Sequence, residues 1–116
     1  MDPIYHIAHR GDWEAAAASG SYAADTLATE GFIHSSEAHQ VLGVANRLFH
    51  GQTDLVLLRL DPGSLMSELR YEPGGGDVFP HIYGPINASA VTQTVAFPPR
   101  ADGSFDLPPE VQSQPG

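Results

Sequence analysis

The segment from Asp54 to Asp61 (DLVLLRLD) constrains the fold more than any other part of the chain. It is almost continuously apolar, and turn-forming residues bound it, with Gly51-Gln52 before it and Pro62-Gly63 after it. An apolar run this short is typical of a strand buried on both faces rather than of a helix. The sequence therefore predicts a sheet with this segment in a central position.

Two helices are predicted around this strand. Asp12 is a good N-cap for a helix that contains the run Ala15 to Ala18 and ends at Gly20. A second helix is expected to start with Ser35 or Ser36 as its N-cap. Its buried stripe recurs at spacings of three and four residues, at Val41, Leu42, Val44, Ala45, Leu48 and Phe49.

The other strands are predicted from short apolar or β-branched runs between turn residues. They are expected at Pro3 to Ala8, Gly31 to Ser35, Leu69 to Glu72 and Ala90 to Phe97, with a bent or edge strand at most at Ile82 to Ile86. Residues 21–29 and 73–77 are interpreted as loops. The pattern predicts a single α+β domain over residues 1–97, with two main helices on a mixed or antiparallel sheet. Residues 98–116 are rich in Pro, Gly, Ser, Asp and Gln, which predicts a disordered tail.

Composition narrows the classes of function. The 116 residues carry 14 acidic side chains, five arginines and no lysine, for a formal net charge of −9. This balance repels phosphate backbones and anionic membranes, so we expect no non-specific nucleic-acid binding, although a local arginine cluster could hold one phosphate. There is no cysteine, no apolar run long enough for a membrane helix and no N-terminal secretion signal, which favours a cytoplasmic location.

Three histidines lie in segments of the same kind: Ile4-Tyr5-His6-Ile7, Gly31-Phe32-Ile33-His34-Ser35 and Phe79-Pro80-His81-Ile82-Tyr83. Each is flanked by bulky apolar or β-branched residues, the composition of a strand. A histidine in such a segment lowers stability unless a partner satisfies it or a function uses it. We therefore expect the strands to bring His6, His34 and His81 into one cleft.

Each of these residues has a functional and a structural interpretation. His6 is either a hydrogen-bond donor to a ribose or phosphate, or a core histidine satisfied by a backbone carbonyl. His34 with Ser35 and Ser36 is either an anion site at a helix start, or an ordinary N-cap.

His81 and Tyr83 share a face if the segment is extended, and they could clamp a ring or act as an acid–base pair. The structural alternative is that they cover a sheet edge. Arg70 and Glu72 alternate in the same way, either as site residues or as a surface ion pair. A zinc site of three histidines, or of two with Glu72, lacks the required spacing, so we predict no metal.

Six segments, in this order, resemble the bacterial family called domain of unknown function 952: IYHIA, WEAA, EGFIHSS, LVLLRLDP, LRYE and FPHIYGPI. The resemblance covers about Ile4 to Phe97. The family in turn looks like a distant relative of the ADP-ribosyltransferase fold. In that fold a first-strand histidine, usually within Tyr-His-Gly-Ser/Thr, holds the adenosine ribose of NAD. Tyr5-His6 matches the first two residues, so the resemblance implies this role for His6 and NAD as a ligand.

The chain departs from that pattern in several places. Ile7-Ala8 replaces Gly-Ser/Thr, there is no Glu-x-Glu, and the arginines do not match the spacing of the RNA phosphotransferases of this fold. Glu72 is the only glutamate on a late predicted strand, so it is assigned the catalytic glutamate's role. The sequence thus predicts a cleft that binds NAD, ADP-ribose or another nucleotide-like anion, with or without transferase activity. The alternatives are a non-catalytic anion-binding module and an acidic protein-interaction domain.

Overall fold

Strand β5 (Leu55–Leu60) is an inner strand of the main sheet in the computed structural model, which describes residues 2–112. Leu55, Val56, Leu57, Leu58 and Leu60 are all buried. The prediction of a central strand at this position is confirmed. A strand buried on both faces needs cover on each side, and helices and chain segments supply it.

The described residues form a mixed α+β fold in which every strand pair is antiparallel. The strands are β1 (Ile4–His9), β2 (Ser21–Tyr22), β3 (Ile33–His34), β4 (Ser36–Glu37), β5, β6 (Glu68–Gly74), β7 (Asp77–Tyr83), β8 (Ile86–Asn87) and β9 (Val91–Ala96). The helices are α1 (Arg10–Ser19), α2 (Asp25–Glu30), α3 (Val41–Leu48) and α4 (Pro109–Gln112). In the part of the chain that the structure describes, no helix has both the length and the apolar character to cross a bilayer.

The strands form one sheet in the order β4-β1-β5-β9, a second in the order β3-β7-β6 and a small third of β2 and β8. The two larger sheets share the extended segment 33–37. Its end, β4, pairs with β1, whereas its start, β3, pairs with β7. Between them, the Ser35 N–H donates to the Pro80 carbonyl at 3.2 Å. The two sheets therefore diverge at this segment.

The main sheet buries an apolar cluster on each face. One cluster packs β1 and β5 against the second sheet, through Ile33 and Ile82, and against the third sheet, through Tyr22 and Ile86. The other packs the opposite faces of the same strands against α3, through Val41 and Ala45. Successive side chains of a strand point to opposite faces, so a single strand supplies both clusters.

Both predicted helix starts differ in the structure. Helix α1 begins at Arg10 with His9 as its N-cap, and no side chain hydrogen-bonds the cap. Ser35 and Ser36 do not cap α3, because they belong to the extended segment between the two sheets. The chain enters α3 through a 3₁₀ turn (Ala38–Gln40) that Glu37 and Gln40 close with reciprocal side-chain hydrogen bonds.

Two predicted loops contain ordered elements. Residues 21–30 hold β2 and α2. The region 73–77 is a tight hairpin turn between β6 and β7, with positive φ at Gly75 (57°) and Gly76 (88°). The bent or edge strand predicted at Ile82 to Ile86 is not a single strand. This segment holds the end of β7, which is the middle strand of its sheet, and the start of β8.

The prediction of a disordered tail is corrected for residues 98–112. Phe105 and Val111 are buried in the cluster beneath α3, and the rings of Phe97 and Phe105 stack with centroids 4.8 Å apart. The Phe105 N–H also donates to the Asn46 side chain at 2.7 Å. The burial of Phe105 and Val111 outweighs the polar composition around them, so this segment belongs to the domain. Residues 113–116 of the predicted tail lie outside the described residues.

Candidate functional site

A cleft of about 740 Å³ opens where the segment 33–37 leaves β1. This volume is within the range of small-molecule sites. Its walls come from β1, α1, α2, the segment 33–37, α3 and the β6–β7 hairpin. Apolar side chains contribute much of the lining, among them Ala8, Ala16, Phe32, Val44, Leu48, Phe49 and Phe79.

The structure brings His6, His34 and His81 to this cleft. His34 on β3 and His81 on β7 are cross-strand partners, and their ring centroids are 5.5 Å apart. The His6 ring on β1 hydrogen-bonds the backbone of His34. Strand pairing, rather than proximity in sequence, places the three side chains together.

Both ring nitrogens of His6 are already bonded within the fold. Nδ1 is 2.6 Å from the His34 carbonyl, which can only accept, so Nδ1 carries the proton. Nε2 then accepts from the Tyr22 hydroxyl at 3.0 Å. Burial lowers the pKa of His6 to about 4, so the ring is neutral at pH 7. This arrangement is the structural alternative for His6, and it leaves no ring nitrogen for a ribose or phosphate.

Tyr22 is a site residue that sequence reasoning missed. It lies on the two-residue strand β2, in a region predicted as a loop. Its ring packs against His6 with a centroid separation of 5.3 Å, and burial raises the pKa of its hydroxyl to about 12. The negative charges of Asp12 and Asp25 add to this shift. A two-residue strand has no periodicity to detect, so the sequence carries little signal for this contact.

His81, Glu72 and Tyr83 form a hydrogen-bonded group. Glu72 Oε1 accepts from His81 Nδ1 at 2.8 Å and from the Tyr83 hydroxyl at 2.5 Å. These two bonds lower the pKa of Glu72, with the Tyr83 bond the larger cause, and the Glu72 bond raises the pKa of Tyr83. Because Glu72 holds the proton at Nδ1, Nε2 of neutral His81 is a bare acceptor. It has no hydrogen-bond partner within residues 2–112.

Only His81 of this group lines the cleft; Glu72 and Tyr83 do not. The Phe32 ring stacks on the His81 ring with centroids 4.1 Å apart and planes at 18°, which fixes the imidazole plane. His34 is half exposed, and its Nε2 lies 3.1 Å from Glu30 Oε1. The cleft wall thus carries the His34–Glu30 pair and the His81 imidazole, and the Phe32 ring contacts both imidazoles.

The remaining predicted site residues have structural partners or lie elsewhere. Ser35 Oγ donates to the Pro80 carbonyl at 2.7 Å. Ser36 lines the cleft, and the structure gives its hydroxyl no partner among the described residues. Neither serine lies at a helix start, so the helix-start geometry predicted for them is wrong. Arg70 pairs with Glu68 at 2.8 Å rather than with Glu72, covers the Tyr83 ring at 4.5 Å and does not line the cleft.

Arg47 is the second residue that sequence reasoning missed. It projects from α3 to the cleft beside the hairpin turn, where a Cβ added to Gly75 would lie 3.4 Å from its Nη2. It has no ion pair or hydrogen bond with any residue of the described chain. Arg10, Arg70 and Arg100, in contrast, pair with carboxylates. The helical stripe identifies the buried face of α3 but not which exposed position faces a cleft.

The two sides of the cleft differ in charge. Asp12, Asp25 and Glu30, from α1 and α2, line one side, and Arg47 lines the other. Within residues 2–112, no three histidine, aspartate or glutamate side chains are arranged to hold a metal ion. The chemistry available to a ligand is therefore the Arg47 guanidinium, the His81 imidazole, the Ser36 hydroxyl, the carboxylates opposite Arg47 and apolar walls.

Comparison with known proteins gives a family and a fold. A family model described as protein of unknown function (DUF952) matches residues 7–94. A crystal structure of protein CC0527 from Caulobacter crescentus is 36% identical in sequence, with a TM-score of 0.86 over 94% of this chain and 97% of that chain. A solution NMR structure of CC0527 is 38% identical, with a TM-score of 0.80 over 92% and 94%. No functionally curated protein matches the chain.

Proposed function

The chain belongs to the DUF952 family, and we propose that its cleft binds a nucleotide-like anion such as NAD or ADP-ribose. The observation that carries the proposal is the pair of unused groups in one cleft, the Arg47 guanidinium and the His81 Nε2. The apolar walls contact the planar part of the ligand, Arg47 binds a phosphate, and His81 accepts a hydrogen bond from a hydroxyl of the ligand.

The unpaired state of Arg47 supports an anionic ligand. In a chain with a net charge of −9, an arginine near surface carboxylates readily finds a partner, and three of the five arginines have one. Guanidinium binds phosphate through two parallel hydrogen bonds, which makes it well suited to this role. Asp12, Asp25 and Glu30 repel phosphate from the opposite side, so the anionic end of the ligand is oriented toward Arg47.

His81 supports a catalytic version of the proposal. With its proton held at Nδ1 by Glu72, the imidazole can accept a proton at Nε2 from a hydroxyl whose oxygen bonds to the ribose C1′ of NAD, while the bond from C1′ to nicotinamide breaks and nicotinamide leaves. The Glu72 carboxylate stabilises the imidazolium that forms. Glu72 then orients His81 and does not itself touch substrate. The fold would be a divergent member of the ADP-ribosyltransferase-like folds, and the protein a cytoplasmic transferase.

A non-catalytic binding module is the second candidate. Two observations favour it: Glu72 and Tyr83 lie behind His81 rather than at the cleft, and both nitrogens of His6 are occupied. A glutamate-dependent transfer needs the carboxylate at the reacting atoms. The binding role of Arg47 does not depend on that carboxylate.

Isothermal titration with NAD, ADP-ribose and AMP tests binding. We expect Arg47→Gln to weaken binding by about 10- to 100-fold, the range for a lost hydrogen bond to a charged group. Arg59→Gln is the matched control, because Arg59 also lacks a carboxylate partner but lines a separate cavity. No heat with any ligand, or equal losses in both variants, would contradict the proposal.

Release of nicotinamide from NAD, measured by chromatography, separates the two candidates. A transferase loses turnover in His81→Gln while its NAD affinity changes less than in Arg47→Gln. Binding without turnover in the unaltered protein identifies the binding module.

A further inference from the structure

Two backbone hydrogen bonds of the neighbouring residues determine which residues of β1 point their N–H and C=O groups toward β5. The Arg10 N–H donates to the Asp54 carbonyl at 2.9 Å, and the Phe97 N–H donates to the Leu55 carbonyl at 3.0 Å. Backbone groups of an antiparallel strand face alternate sides. The N–H and C=O of Leu55 therefore point toward β9, and those of Asp54 and Val56 point toward β1. It follows that the backbone groups of His6 and Ala8 hydrogen-bond to β5, whereas those of Ile7 and His9 point away from β5.

On that other side, β1 lies along the cleft without a strand beside it. Its pairing with β4 covers only Ile4 and Tyr5, and residues 6–9 all line the cavity. His9 is the N-cap of α1, so its carbonyl serves the first turn of the helix. Within residues 2–112, no strand register extends along this side of β1 beyond Tyr5, so Ile7 and the N–H of His9 lie outside the pairing with β4.

The strand facing this edge does not complete the ladder. Continuing the register of β1 with β4 would place His34 opposite Ile7. The His34 carbonyl instead accepts from the His6 imidazole at 2.6 Å, and β3 pairs with β7. The pairing of β1 with the segment 33–37 therefore stops at Tyr5, and the edge beyond it lies along the cleft.

We propose that this open edge of β1 binds an extended basic peptide segment as an added strand. Addition of a strand to an open edge is a recurrent mode of peptide recognition, in which backbone hydrogen bonds supply affinity and side chains supply specificity. Four residues of β1 accommodate a segment of about 13 Å. The basic character follows from Asp12, Asp25 and Glu30, which line the α1 and α2 side of the same cleft, opposite Arg47, in a chain of net charge −9. The inference does not depend on nucleotide binding.

The test uses the full chain and the pentapeptide acetyl-Val-Lys-Val-Lys-Val amide, followed by amide hydrogen exchange and by titration. In the free protein we expect the amides of Ile7 and His9 to exchange much faster than those of His6 and Ala8. The peptide is expected to bind with a dissociation constant below about 1 mM. It should slow exchange at Ile7 and His9 and leave Ala8 unchanged. A peptide with Glu in place of Lys should bind about tenfold more weakly or not at all.

N-methylated peptides test the backbone contact without altering the protein. One version is methylated on both lysine nitrogens and the other on the backbone nitrogens of the central and the C-terminal valine. Only alternate residues of an added strand face β1, so one version should lose at least about tenfold in affinity and the other should retain it. Equal affinities of all three peptides, no binding of the basic peptide, or slow exchange at Ile7 in the free protein would each overturn the proposal. The nucleotide titrations are separate experiments, so the peptide proposal can hold even if the protein binds no nucleotide.

Discussion

Acidification should destabilise the fold through His6 before it affects the carboxylates. Burial depresses the pKa of His6 from 6.5 to about 4, whereas the unfolded chain protonates this residue at its ordinary value. Between these values the unfolded state binds more protons than the native state, so the free energy of unfolding falls as the pH falls. The loss begins near pH 6.5 and is complete below about pH 4. Carboxylates titrate mostly below pH 5, which leaves His6 a window of its own.

The size of the effect follows from the shift. A pKa difference of about 2.5 is worth about 3 kcal/mol at the low-pH limit, and about 2 kcal/mol of it is lost between pH 7.5 and pH 5. For a chain of this length, with a stability of 5–15 kcal/mol or so, that loss is readily measured. The His34 carbonyl and the Tyr22 hydroxyl hold the neutral tautomer in place and do not reverse the direction.

Urea unfolding from pH 7.5 to pH 5 measures this contribution when the native protein is compared with His6→Gln. The variant cannot titrate at this position, so its free energy of unfolding should fall by about 2 kcal/mol less over the range. His39→Gln is the control, because His39 is largely exposed, and it should retain the native pH dependence. Parallel pH profiles for the native protein and His6→Gln would refute the assignment of His6 as a buried neutral imidazole.

Three further predictions test other parts of the structure. Ile7→Pro removes an N–H that faces the cleft, whereas Ala8→Pro removes an N–H that donates to a buried carbonyl of β5. Urea denaturation should find Ala8→Pro less stable than Ile7→Pro by at least about 2 kcal/mol. Equal stabilities would contradict the assignment of which β1 amides face β5. Phe105→Ala should cost about 3–5 kcal/mol in the same assay, because its ring is buried beneath α3, and a negligible loss would return this segment to a disordered tail. Tyr83→Phe should raise the pKa of Glu72 toward its usual range, since the Tyr83 bond is the larger cause of its depression, and carboxyl NMR titration measures this directly.

The fold class and the central strand could be predicted because they depend on local pattern. The apolar run at β5 has one stable location in a small domain, inside a sheet. The stripe on α3 and the αL glycine that ends α1, Gly20 (φ 88°), are likewise local signals. The order of strands, however, depends on which surfaces bury each other, and no single segment carries that information.

The site was predictable in its residue types but not in its bonding. Strand composition around His6, His34 and His81 indicated that they would need partners, and the structure places them on one cleft. The sequence did not distinguish His6, whose nitrogens are both bonded, from His81, whose Nε2 is unpartnered. That distinction depends on Tyr22 and Glu72, which reach the imidazoles only through strand pairing. The serines were misjudged because an N-cap pattern and an extended segment between sheets share the same residues.

If the shared segment 33–37 is counted as one strand, the two larger sheets form a six-stranded series, β6-β7-β3/β4-β1-β5-β9. In this series the pairing between β1 and the segment 33–37 ends at Tyr5 and leaves an open seam. His6 lies where that seam begins, and its imidazole donates to the carbonyl of His34, the residue opposite Ile7 in the extended register. An aliphatic residue at this position would free the carbonyl, and the seam could then close by ordinary backbone pairing. Relatives that lack a donor here are therefore expected to pair this segment with β1 over a longer stretch and to have a smaller groove.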